Sequence, residues 1–145
     1  MKLEQFGREE KLRMYKLALL GVLLGMLFLM WRTIVSANGV SVAASGMKTA
    51  ALRAHRLYAW WLFGTTLSFV LLIEGKRVYF GGIKRDWLFF THVPFAVLFL
   101  SIMALIVFRF NGQRSPMHPL LGYLCAGFFV PTVLTGVPMI LRMKA

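Results

Sequence analysis

Acidic residues are nearly absent from this chain. Five Asp and Glu stand against seventeen Lys and Arg among 145 residues, a formal net charge of +12. All five (Glu4, Glu9, Glu10, Glu74 and Asp86) lie in the N-terminal segment or in the stretch after the second apolar block. Cys125 is the only cysteine, which excludes an intramolecular disulfide and leaves it a small apolar packing role. No nucleophile constellation, phosphate-binding loop or zinc spacing occurs, so hydrolase and NTPase activities are excluded and a non-enzymatic protein is expected. The apolar blocks hold almost no acid–base chain and no inverted repeat, which argues against a transporter.

What the chain has is apolar length. It is 59% hydrophobic, more than a soluble chain of this size can bury. Four apolar blocks, at about 17–36, 57–73, 87–108 and 119–141, each approach the ~20 residues that cross a ~30 Å hydrocarbon core as a helix. The expected fold is all-α: an integral membrane, up-down four-helix bundle forming one domain over 1–145. Residues 1–16 mix charges with Leu3, Phe6, Leu12, Met14 and Tyr15, and predict an interfacial segment or a frayed entry to span one. The small, polar stretch 37–47 predicts an irregular loop, and Gly81-Gly82 a tight turn. The basic residues flank apolar spans, a pattern for topology and lipid headgroups; no soluble basic face suits nucleic acid.

Charge also orients the chain. Lys2, Arg8, Lys11, Arg13, Lys16, Lys76, Arg77, Lys84, Arg85, Arg142 and Lys144 fall on one side. Arg32, Lys48, Arg53, Arg56, Arg109 and Arg114 fall on the other. The positive-inside rule places both termini in the cytoplasm of a multi-pass protein of the plasma (inner) membrane, with no carboxylate on the outer face. A cleaved secretory signal ending near Val35-Ser36-Ala37 is the rival reading of the first block; Trp31 and Arg32 before that site favour a retained anchor.

Within the spans, Gly21-x-x-x-Gly25 has the spacing of close helix approach. Pro94 deprives the Phe90 carbonyl of its helical donor, Pro119 suits a helix start, and Pro131 and Pro138 interrupt the last span.

Three histidines make the candidate site. His55 opens span two and His118 opens span four, both at the outer interface. His92 lies about five residues inside span three from the cytoplasmic side, roughly 20 Å from that pair at ~1.5 Å per residue. His92 therefore cannot share a metal with the other two, and one outer site built by His55 and His118 is expected. Arg32, Arg53, Arg56 and Arg114 converge on the same face, where guanidinium forks suit haem propionates. Met47 and Met117 near that level would instead suit copper(I). In the remaining alternative, both histidines cap helix starts while the arginines anchor lipid phosphates. For His92 the readings are a hydrogen bond to Ser68 or Thr135, or a proton-handling pair with Glu74. Arg32 sits inside its span, so it must snorkel to headgroups or turn into the bundle toward span two or four, near His55 or His118.

One succession of motifs is suggestive: His55-Arg56, Tyr79-Phe80-Gly81-Gly82 with Arg85, Thr91-His92-Val93-Pro94-Phe95-Ala96, His118, and Thr135-Gly136. Over about residues 55–137 it resembles the CtaM/YozB-type small four-helix membrane proteins, linked to maturation of haem–copper cytochrome oxidases. The resemblance implies a plasma-membrane assembly factor with respiratory oxidase subunits as partners and His55, His92 and His118 as functional residues. The chain departs from the pattern near the end of span two, where Glu74 stands in place of a further histidine. A looser likeness to cytochrome b561-type bundles, through His118-Pro119-Leu120-Leu121-Gly122 and Thr135-Gly136, implies a one-haem b-type cytochrome subunit passing electrons.

Overall fold

The computed structural model describes residues 2–42, 47–80, 85–110 and 117–143, with side chains at 7–40, 47–79, 85–110 and 117–143. It is all-α. Four helices follow in order: α1 (Lys2–Val42), α2 (Lys48–Phe80), α3 (Trp87–Arg109) and α4 (Met117–Leu141). All four are long and apolar enough to cross a membrane. α1 packs closely on α2 and α3 on α4, while α2–α3 and α1–α4 touch more lightly. The bundle is thus two helical hairpins set side by side, with α2 and α4 facing each other across the diagonal. The α1–α2 and α3–α4 connections share one end, the hairpin end; the termini and the α2–α3 connection share the other.

Inward stripes at helical spacing explain the packing. α1 buries Leu12, Leu19, Leu23, Met26 and Met30; α3 buries Phe99, Met103 and Val107; α4 buries Leu121, Cys125, Phe129 and Ile140. Met26, Met30, Leu62, Phe99, Met103, Cys125 and Phe129 form one core drawn from all four helices, and Cys125 packs there as a free thiol. The Phe99 and Phe129 rings lie 5.1 Å apart at its centre. Toward the hairpin end, Trp60 and Phe63 of α2 set their rings edge-on to Phe108 of α3 at 5.5 and 5.3 Å. A second core, Leu12, Leu19, Ile140 and Met143, closes the terminal end. There the Lys16 ammonium donates to the Leu141 carbonyl at 3.1 Å, joining α1 to the end of α4.

Several segment boundaries differ from expectation, and residues 37–42, expected in an irregular loop, belong to the end of α1. Residues 2–16 are helical and continue into the first span without a break, α1 starting at Lys2. The cause is the stripe itself, which runs through Leu12 to Leu19 and ignores the charges between. Likewise α2 starts at Lys48 and continues past Glu74 to Phe80. Its inward positions Leu62, Thr66, Phe69, Ile73 and Lys76 keep the same spacing, and Lys76 is only 4% exposed. The Gly81-Gly82 turn lies outside the described residues. α3 begins where composition placed it, with Asp86 as N-cap accepting from the Phe89 N–H at 3.2 Å.

Hydroxyl groups are satisfied within their own helices. Thr33, Thr65, Thr66, Ser68, Thr91, Thr132 and Thr135 each donate to the carbonyl four residues earlier, at 2.6–3.0 Å. Such groups need no water, which suits an apolar surrounding.

The core makes a stability prediction. Phe99→Ala, at 1% exposure, should cost about 3–5 kcal/mol, read as a lower thermal midpoint of the detergent-purified protein. Leu134→Ala, at 69% exposure, should leave the midpoint nearly unchanged.

Candidate functional site

His55 and His118 stand at the hairpin end and head the inward stripes of their helices. His55 precedes Leu62 and Thr66 by seven and eleven positions; His118 precedes Cys125 and Phe129 by the same intervals. That register aims both imidazoles at the bundle axis from diagonal helices. Their ring centroids are 5.9 Å apart, with the planes at 72°.

Hydrogen bonding fixes the tautomer of His55. Its Nδ1 lies 3.2 Å from both the Thr33 carbonyl and the Ser36 Oγ. Ser36 gives its own hydrogen to the Thr33 carbonyl at 2.9 Å. Both neighbours are therefore acceptors, so Nδ1 carries the proton and Nε2 keeps its lone pair for a ligand. His118 differs. Its Nδ1 is buried and has no hydrogen-bond partner among the described residues.

The arginines separate into distinct roles. Arg32 turns toward α2, donating to the Tyr58 hydroxyl at 2.8 Å with its guanidinium 5.0 Å from that ring's centroid. Arg32 is thus directed into the bundle, with a tyrosine hydroxyl and not an imidazole as its partner. Arg53 is exposed, and Arg114 lies outside the described residues. Arg56 shares its side of α2 with Trp60 and Phe63, which pack on α3. Its Nε is buried and without a partner among the described residues. Of Arg32, Arg53 and Arg56, only Arg56 has a buried donor without a partner among the described residues.

The donor set discriminates between cofactors. Two imidazoles bonded to one iron from opposite sides at ~2 Å have centroids roughly 6 Å apart, close to the 5.9 Å observed. Haem brings its own equatorial nitrogens and asks the protein for two axial ligands. A bare metal ion asks for more, and no group of three His, Cys, Asp or Glu side chains is assembled among the described residues. Met47 and Met117 are both exposed and would have to swing inward to bind copper(I). His55 and His118 are the described residues that could hold a haem between them.

His92 belongs elsewhere. Its Nδ1 is 2.9 Å from the Thr135 Oγ1, and Thr135 lies seventeen positions beyond His118, roughly 25 Å along α4 at ~1.5 Å per residue. The Thr135 hydroxyl donates to the Pro131 carbonyl at 2.6 Å, so it accepts from His92. Ser68, the other hydroxyl at that depth, donates to Gly64 and is exposed. Glu74 does not face His92. It is exposed and ion-paired with Arg77, whose Nε donates to it at 2.6 Å, so the proton-handling pair is not formed. Thr33, Ser36 and Tyr58, which position His55 and Arg32, were missed by the sequence reading. Their signal is a helical repeat on α1 (Arg32, Thr33, Ser36) opposite one on α2 (His55, Tyr58).

No protein-family model, curated protein or solved structure matches the chain.

Gly136 lets the His92 ring close on α4. A Cβ there would meet the ring's Cε1 at 3.1 Å. Gly136→Ala should therefore destabilise the protein by about 1 kcal/mol, and most of that loss should vanish in a His92→Ala background, a coupling measurable by a double-mutant cycle.

Proposed function

We propose that the protein is a non-enzymatic membrane factor assisting the assembly or maturation of a respiratory haem–copper oxidase, and that it handles haem at His55 and His118. The observation that carries this reading is the pair of imidazoles, set 5.9 Å apart by diagonal helices. Bound haem would supply the redox-active iron. The chain's part is to hold it: His55 offers Nε2 from a ring fixed by Thr33 and Ser36, and His118 faces it from α4.

The setting is a plasma membrane crossed four times with both termini cytoplasmic, which puts the hairpin end outside. The outward surfaces support insertion, since Leu24, Phe28, Leu71, Phe90, Val97, Leu134 and many like them are exposed, far beyond what a soluble monomer shows to water. The excess of basic residues at the terminal end supports the orientation. Oxidase subunits as partners rest on the CtaM/YozB-type likeness of residues 55–137.

A one-haem b-type cytochrome subunit is the second reading, and the diagonal placement of the histidines favours it. Against it, His92 is spent on Thr135. One haem at one end leaves most of a ~30 Å core without a relay, a poor design for carrying electrons across and a sufficient one for holding a cofactor in transit.

Three outcomes are expected. The purified protein reconstituted with haem should show a b-type Soret band that His55→Ala and His118→Ala each abolish and His92→Ala retains; a wild type that stays colourless would sink the haem reading. Deletion in the host should lower oxidase activity, and an unchanged activity would remove the maturation role. In a Cys125→Ala background, Lys48→Cys should react with an impermeant maleimide in intact cells, and Arg85→Cys only after permeabilisation. The reverse pattern would invert the topology.

A further inference from the structure

At the hairpin end, Arg56 has a buried donor that no described residue satisfies. Arg56 places its Nε where solvent does not reach, and no described residue accepts from it. All five carboxylates of the chain lie toward the terminal end or in the α2–α3 region. Leaving a guanidinium N–H buried and unmet is costly, and a nearby carboxylate is the usual remedy. Neither hairpin-end connection carries an Asp or Glu, so a carboxylate for Arg56 must come from outside this end of the chain. Arg32 is instead turned onto Tyr58, donating to its hydroxyl and lying over its ring. Arg53 faces solvent or headgroups.

We infer that Arg56 is an oxyanion-recognition residue of the hairpin-end site, taking one carboxylate of a ligand held between His55 and His118. The inference rests on the haem reading, and the carboxylate it names is a haem propionate. Arg56 follows His55 directly on α2, so an anionic substituent at the rim of a ligand centred on the imidazoles falls on its side of the helix. The charge balance agrees. A free metal cation would add positive charge beside an uncompensated arginine, whereas haem carries two carboxylates that offset it. Arg56 thus selects for an acid-bearing macrocycle over a bare ion and fixes which way round it sits. A lipid phosphate has the same oxyanion chemistry, and the test below separates it from a propionate.

The test compares haem b with its dimethyl ester, in which both carboxylates are blocked. Each is titrated into the ligand-free protein in detergent and followed by the Soret band. Wild type should bind haem on the order of tenfold or more tightly than the ester, the worth of a charge-assisted hydrogen bond. Arg56→Ala should bind the two alike, and Arg56→Lys should restore part of the preference. The wild-type comparison needs no variant, so a misfolded Arg56→Ala does not decide the matter. Equal binding of haem and ester by wild type would overturn the inference while leaving the haem reading intact; this is also the result if added phosphatidylglycerol, and not the propionate, satisfies Arg56. A preference for haem that survives in well-folded Arg56→Ala would assign the carboxylate to another residue. No Soret shift with either compound would overturn the haem reading, and this inference with it.

Discussion

Polar hydrogens among apolar helices must find acceptors within the chain, and that constraint organises this bundle. Threonine and serine meet it locally by turning back to the carbonyl four residues earlier, as Thr66 and Thr132 do. His92 meets it across helices, through a Thr135 hydroxyl whose own hydrogen is already committed to Pro131. His55 meets it against two acceptors on α1. The same rule makes its violations informative. Arg56 and His118 keep buried nitrogens without partners among the described residues, and both belong to the end where the two diagonal imidazoles meet. Buried polar groups are nearly always hydrogen-bonded, so these two stand apart from the rest of the bundle.

One residue type serves two purposes here, and position decides which. Each histidine heads an inward stripe: His55 with Leu62 and Thr66, His118 with Cys125 and Phe129, His92 with Phe99 and Met103. All three therefore face inward. His92, however, meets Gly136, which has no side chain to hold it off, and a hydroxyl beside it. It becomes a fastener between α3 and α4. His55, held by Thr33 and Ser36, and His118 instead face each other, with ring centroids 5.9 Å apart.

Much of this was legible in the sequence, for identifiable reasons. Four helices and their apolar character follow from block lengths, because ~20 apolar residues have few other stable arrangements. The separation of His92 from the other two histidines follows from depth alone, since a rise of ~1.5 Å per residue is hard to evade. Helix ends were less legible. Charge density suggested boundaries near 17 and 74, but Leu12 and Lys76 continue the buried stripes, and a stripe outranks composition. Partners that depend on azimuth were not legible at all. Thr135 and Ser68 sit at similar depth, and only the rotation of α4 against α2 decides which reaches His92. Arg32 offers the same lesson: its direction into the bundle was arguable from cost, but Tyr58 as its partner needed the facing register of α1 and α2.

The unequal packing of the helices gives the site its place. Within each hairpin the contact is extensive, and between hairpins it is lighter. Core side chains from all four helices fill the middle, and Lys16 with Leu12, Leu19, Ile140 and Met143 ties α1 to α4 at the terminal end. At the hairpin end, the two histidines link the diagonal helices by a single edge-to-face ring contact, which is weak next to a packed aliphatic core. The Trp60 and Phe63 rings against Phe108 add a second link between the hairpins toward that end. The two imidazoles therefore sit at a seam closed by aromatic edges, where position along each helix and not bulk packing decides which side chains meet.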